Sequence, residues 1–271
     1  MNPWIETIGV GLLGAFGVAF GRWFSRLPSP YWTLGYSVPL TLILLMGMAF
    51  RFRTLEFVPP FSWLMAGRTE FVLTALAGTT VLTTPLSRLP RRRDRVAVTL
   101  LMLCVVSQVA VWPFLAPAFN RAELEAIKTR IDPEGVCLQN TDYTCGPAAA
   151  VTALRRLGLP AEEGAIAIRS HTSTATGTPP DMLCRALQKL YLADGVVCQY
   201  RAFKSVEELK SAGCTLALVK FSFLLDHYVA VLHVDERTVT VGDPLNGKRA
   251  MTHAEFARQW RFVGVVLRRK P

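Results

Sequence analysis

The sequence predicts an N-terminal α-helical transmembrane bundle of about four spans (residues 1–116), a charged helical linker (117–134) and a C-terminal α+β domain (135–271). Three observations carry that division. Charge is distributed unevenly: residues 1–116 hold four acidic side chains (Glu6, Glu56, Glu70, Asp94), ten arginines and no lysine, whereas residues 117–271 hold sixteen acidic and twenty basic ones. Long apolar stretches fill the first half, and mean hydropathy of +0.30 is high for a chain wholly in water. Beyond residue 190 the helical spacing of apolar residues gives way to short β-rich runs.

The apolar stretches cover about residues 4–20, 31–50, 61–86 and 96–116. A helix needs roughly 20 mainly apolar residues to cross a bilayer core. The second and fourth stretches meet that alone. The first is slightly short, with Glu6 near its end where head groups would solvate it. The third is interrupted by Arg68 and Glu70, which makes three spans the alternative count. No lysine or arginine precedes the first stretch, so it reads as a span rather than a secretory leader. Trp4, Trp23, Trp32, Trp63 and Trp112 fall near the proposed membrane edges, where an amphipathic indole is stable.

Arginine placement orients the bundle. Arg88, Arg91, Arg92, Arg93 and Arg95 share one loop, and Arg22 and Arg26 follow the first span. The positive-inside tendency makes both loops cytoplasmic and the domain after residue 116 extracytoplasmic. Arg51, Arg53 and Arg68 lie in the opposite loop and weaken this bias. The net charge of +10 needs only lipid head groups as partners. A basic stripe interleaved with aromatics is absent, which excludes a nucleic-acid partner.

In the second half, Arg121, Glu123, Glu125, Lys128 and Arg130 surround Leu124 and Ile127 in the linker. Residues 146–157 have helical spacing and stop at Gly158, with Pro160 just beyond. Thr178 and Pro179 suit the cap and first turn of a helix running to Leu190. Residues 196–201, 216–221, 227–234, 238–241 and 262–267 read as strands. Two short helices open with capping-box pairs, Ser205 with Glu208 and Thr252 with Glu255. Helices first and an antiparallel sheet afterwards is an α+β layout.

Four residues in this domain carry the chemistry. Cys145 stands at the start of a helix, where unpaired N–H groups and the dipole favour a thiolate. Gly146 gives a substrate carbonyl room beside the backbone, and Pro147 suits the first turn. The N–H of Cys145 can itself point at a developing oxyanion. His227, entering a strand, is the candidate base. Asp243, in Gly242-Asp243-Pro244 after the next strand, comes beside His227 if the two strands form a hairpin, and can then fix the ring's tautomer. Gln139 could donate its side-chain N–H to an oxyanion. His171, His233 and His253 read as solvated or capping residues. No close pairs such as Cys-x-x-Cys occur, so neither a metal nor any other cofactor is expected. Residues 242–249 resemble a phosphate-binding loop but lack the Ser/Thr after lysine. Cys137, Cys184, Cys198 and Cys214 could form two disulfides, and a reduced buried set is equally compatible.

Taken in order, Gln139, Cys145-Gly146, His227-Tyr228-Val229-Ala230-Val231 and Asp243-Pro244 resemble the C39 family of papain-like cysteine peptidases, bacteriocin-processing enzymes that cut after double-glycine leaders. The resemblance covers about residues 135–267. It implies a papain-like fold, Cys145 as nucleophile, His227 as base, Asp243 as orienter and Gln139 as oxyanion donor. It also implies a peptide or small-protein substrate with a Gly-Gly type leader, and a bacterial cytoplasmic membrane. Two departures stand out. Thr144 replaces the acidic residue many members carry before the cysteine, and the ABC transporter to which members are commonly fused is absent, which points to a separate exporter. The same residue order also suits a papain-like acyl or amide transferase, or a non-catalytic membrane sensor or adaptor retaining the fold.

Overall fold

A computed structural model describes residues 3–65, 68–222 and 225–270; the side chains of Pro3 and Trp4 lie outside the described set. The chain forms two compact units. One is Met1–Phe50 with Val58–Ala118, the other Arg51–Phe57 with Phe119–Pro271.

The first unit is helical: α1 (Pro3–Ser25), α2 (Leu34–Arg51), α3 (Phe61–Leu64), α4 (Thr69–Thr83), α5 (Arg92–Val106) and α6 (Trp112–Phe119), the last two joined by a π turn, Ser107–Val111. Three helices among the described residues are long and apolar enough to cross a membrane: Ile5–Ser25, Tyr31–Arg51 and Arg92–Phe119. The third apolar stretch of the sequence is divided into α3 and α4, and α4, at 15 residues, falls short of the usual span. Of the four expected spans, three therefore have the length.

Between α1 and α4, glycine sets the distance. A Cβ on Gly17 would sit 1.9 Å from Thr79 Oγ1, and one on Gly21 would sit 2.7 Å from Thr83 Cβ. This Gly-x-x-x-Gly spacing lets the two backbones meet closely. Ile5, Ile8, Leu12 and Phe16 of α1 remain exposed, as side chains facing lipid would. Glu6 is not left to head groups: it pairs with Arg68, both side chains being nearly buried. Two charges with little contact with water are tolerable in that paired state.

The second unit is built on a six-stranded antiparallel sheet in the order β3-β8-β4-β5-β6-β7. The strands are β3 (Val196–Ala202), β4 (Cys214–Lys220), β5 (Asp226–Val234), β6 (Thr238–Asp243), β7 (Gly247–Thr252) and β8 (Trp260–Arg269), preceded by a small β1 (Arg130–Ile131) and β2 (Cys137–Leu138) pair. The helices are α7 (Arg121–Glu125), α8 (Cys145–Arg156), α9 (Glu163–Arg169), α10 (Pro180–Leu190), α11 (Leu209–Ala212) and α12 (His253–Gln259). Apolar side chains alternate along the central strands and feed two clusters. Leu216, Leu218, Tyr228 and Ala230 join the cluster of α8 and α10. Ala217, Val219, Val229 and Val231 join that of Phe256 and Trp260. Helix α8 is buried from Cys145 through Leu154. Its alanines, at 148, 149, 150 and 153, combine high helix propensity with small volume, so the helix lies close on the sheet.

Several sequence expectations shift by the local hydrogen bonds. From Phe119 on, the linker is part of the second unit: Leu124 is 1% exposed, and its carbonyl lies where any Cβ on Gly164 would clash, at 2.3 Å. Thr178 does not cap α10; Pro179 holds that place, and the threonine hydroxyl bonds Thr172 instead. Glu208 itself caps α11, its carboxylate accepting from Lys204 N, whereas Thr252 and Glu255 form the full capping box of α12. Strand β7 carries exposed polar residues and gave no apolar alternation to read. Leu154, fully buried in α8, tests this packing: Leu154→Ala should cost about 2–5 kcal/mol. Denaturant unfolding followed by the emission of buried Trp260 checks it.

Candidate active site

Cys145 is the first residue of α8, capped by Thr144 without a side-chain bond. Its own N–H and that of Gly146 therefore remain available at the positive end of the helix dipole, and Pro147 removes a third donor that would need a partner. Gly146 is required for a reason the sequence did not show. A Cβ there would lie 2.9 Å from Thr178 Cβ. The Thr178 carbonyl accepts from Tyr228 Oη at 2.9 Å, so the start of α8, the loop before α10 and the start of β5 are locked together.

His227 follows Asp226 at the start of β5, and Asp243 ends β6. The two strands pair antiparallel, with Ala230 opposite Gly242. This register brings His227 Nε2 to 2.8 Å from Asp243 Oδ1, with the side chains 8% and 7% exposed. The Cys145 side chain also acts on the ring, favouring its charged form. The structure thus joins Cys145, His227 and Asp243 in one chain of contacts.

Burial opposes a charged imidazole, but the bonds to Asp243 and Cys145 outweigh it and raise the His227 pKa to about 9. Burial also pushes the Asp243 carboxyl up. Bonds from His227, from Asn246 and from the Leu245 N–H overcome that and hold it at about 2. Asp243 is at once a turn residue and a partner for the ring. Oδ1 accepts from Leu245 N at 2.9 Å and Oδ2 from Asn246 Nδ2 at 2.8 Å. These bonds fix the carboxylate before the histidine uses it. The turn closes on Gly247, whose φ of +72° is one that glycine adopts without strain.

Gln139 is tied to the same turn, its backbone N donating to the Pro244 carbonyl at 3.0 Å. Its Nε2 donates to the Thr141 carbonyl at 2.8 Å, leaving one N–H of the amide uncommitted. Oε1 is buried without a partner. Exchanging the amide's oxygen and nitrogen would set two acceptors face to face, so the observed orientation is the better one. The adjoining Asn140 is held by Glu163, which accepts from its backbone N at 3.0 Å and from its Nδ2. Glu163 is fully buried. Sequence reasoning missed this support, because nothing local links residues 23 apart. Asn246 was missable for a different reason: its turn position was legible, its bond to Asp243 was not. His253 lies elsewhere, bonded to the Asp235 carbonyl. All six cysteines are free, and the thiols of Cys184 and Cys198 share a hydrogen bond.

A family model described as the Peptidase C39 family matches residues 134–271. Two curated relatives, both uncharacterised, come from Methanothermobacter thermautotrophicus at 29% identity and Methanothermobacter marburgensis at 30%. Each match spans 145 residues, 54% of this chain and 94% of the relative. Among solved structures, a double-glycine-motif protease from a transporter, in complex with its leader peptide, aligns with TM-score 0.40 and 16% identity over 53% of this chain and 93% of that one. The peptidase domain of Streptococcus ComA, a bifunctional ABC transporter, aligns with TM-score 0.42 and 18% identity over 49% and 96%.

The His227–Asp243 pair carries a pH signature. A raised histidine pKa stabilises fully below its ordinary 6.5 and is lost as pH rises through about 9. A depressed carboxyl stabilises above its ordinary 3.8 and is lost as pH falls through about 2. The melting-temperature advantage of the parent over Asp243→Asn should therefore be full between about pH 4 and 6.5 and shrink as pH rises through about 9, where only the bonds of Asp243 to Leu245 and Asn246 remain. Thermal unfolding of both proteins across that range checks it.

Proposed function

Because the chain belongs to the Peptidase C39 family, we propose that it is a membrane-anchored cysteine peptidase that hydrolyses a peptide or small-protein substrate. The observation that carries this reading is the continuous contact from the Cys145 side chain through the His227 ring to the Asp243 carboxylate at the start of a buried helix. Cys145 is the nucleophile, His227 the base and then the acid, and Asp243 the group that fixes the ring.

The Cys145 sulfur, its proton already resting on the His227 ring, attacks the scissile carbonyl carbon as a thiolate. The carbonyl π electrons move to oxygen, which accepts from the Cys145 backbone N–H and the uncommitted N–H of Gln139. Collapse expels the amine, which takes the proton from His227, and leaves a thioester on Cys145. Water, deprotonated by His227, then releases the acid and restores the thiol. Asp243 remains ionised throughout, consistent with its low pKa, and stabilises the imidazolium in each half-reaction.

The three long apolar helices serve as the anchor, with the peptidase unit outside the cytoplasm. The substrate to try first is a short precursor with a Gly-Gly leader, handed to a separate exporter. Cys145→Ala in purified full-length protein should abolish cleavage of any peptide the parent cuts, a loss of at least about 1000-fold. Mass spectrometry of the parent during turnover should show an acyl adduct on Cys145. Undiminished cleavage by the variant would reject the assignment.

A further inference from the structure

The second unit contains a piece of chain from far upstream. Residues Arg51–Phe57 belong to it, although in sequence they connect α2 to α3. Read as sequence, Arg51 and Arg53 are loop arginines of the sort that meet head groups. In the structure Arg53 is enclosed. Its Nε donates to Asp226 Oδ2 at 2.9 Å and one terminal nitrogen donates to Glu56 Oε1 at 2.6 Å. Glu56 Oε2 accepts from Tyr200 Oη at 2.8 Å, and Phe57 packs on the Tyr200 ring, centroids 5.0 Å apart. Asp226 Oδ1 accepts from Arg261 Nε at 2.6 Å, and Arg261 donates a further bond to the Arg51 carbonyl at 3.1 Å.

Two arginines and two carboxylates thus balance, with side-chain exposures of 2% to 14%. Burial opposes charge on Arg53, yet Glu56 and Asp226 hold its pKa above the ordinary value. A buried network of this kind is rigid while complete and costly once one member is removed. Its location gives it a consequence. Asp226 is the residue before His227 and the first of β5. Both of its carboxylate oxygens are held by guanidinium groups, one of them supplied by the upstream segment.

We infer that Arg51–Phe57 is a clasp built into the peptidase unit, and that Arg53 is a positioning residue which, through Asp226, fixes the start of β5 and hence the His227 ring against Cys145. The inference rests on the peptidase reading but can be tested apart from it. A displacement of about an ångström at a catalytic group is enough to slow chemistry by one to two orders of magnitude. Reactivity of the Cys145 thiol depends on the ring staying in reach.

The test uses the full-length chain and iodoacetamide, with alkylation followed on the peptide carrying Cys145, well below the melting temperature. Arg53→Met should slow that alkylation about tenfold, and lower kcat on any peptide the parent cleaves while leaving KM unchanged. Arg53→Lys should recover part of both, since an ammonium can engage one carboxylate but not fork between two. A purely structural segment would lower the melting temperature and leave the rates alone, so a folded Arg53→Met protein with parental rates overturns the clasp. If Arg53→Met does not fold, Glu56→Gln decides, with slowing of about threefold expected and no slowing overturning it. A parent alkylated at Cys145 that cleaves no peptide would remove the peptidase reading and leave the clasp to be judged on alkylation alone.

Discussion

The hydrogen bond between His227 Nε2 and Asp243 Oδ1, 2.8 Å long and almost out of contact with solvent, is the constraint around which the second unit is arranged. A buried imidazole near a thiol would by itself shed its proton. The carboxylate reverses that, and it can do so only because it is already fixed by Leu245 and Asn246. Antiparallel pairing of β5 with β6 then delivers the ring to the carboxylate, and the buried helix α8 delivers the thiol to the ring. Each step uses a rigid element, so the geometry does not have to be assembled when a substrate arrives.

The support extends outward in layers. Pro244 receives the Gln139 backbone, so the turn that holds the carboxylate also places the candidate oxyanion donor. Glu163, fully buried, finds its partner in Asn140, the neighbour of Gln139. On the other side of the histidine, Asp226 is gripped by Arg53 and Arg261. Buried polar groups on this scale are tolerable only when nearly all are paired. Among the described residues the exception is Gln139 Oε1.

Much of this was legible in the chain. The anchors Cys145, His227 and Asp243 stand where local rules put reactive groups: a helix start, a strand entry and a turn after the next strand. The strands rich in Val, Leu and Ala were readable because their burial leaves an alternating pattern. What escaped reading depends on distance in sequence. Arg53 and Glu56 resemble loop charges until Asp226 and Tyr200, well over a hundred residues later, are placed against them. Glu163 resembles a surface acid until Asn140 is placed beside it. Glu6 resembles a head-group contact until Arg68 pairs with it. The third apolar stretch is longer than either of its helices, because composition does not show where a helix breaks.

The central claim is that His227 is held as an imidazolium by Asp243 in a buried site beside the Cys145 sulfur. Titration of the His227 ring nitrogens by NMR in histidine-labelled protein tests it most directly. The account predicts both nitrogens protonated at neutral pH, with the proton lost at about pH 9. A ring that is already neutral at pH 7.5, titrating near the ordinary 6.5, would contradict it.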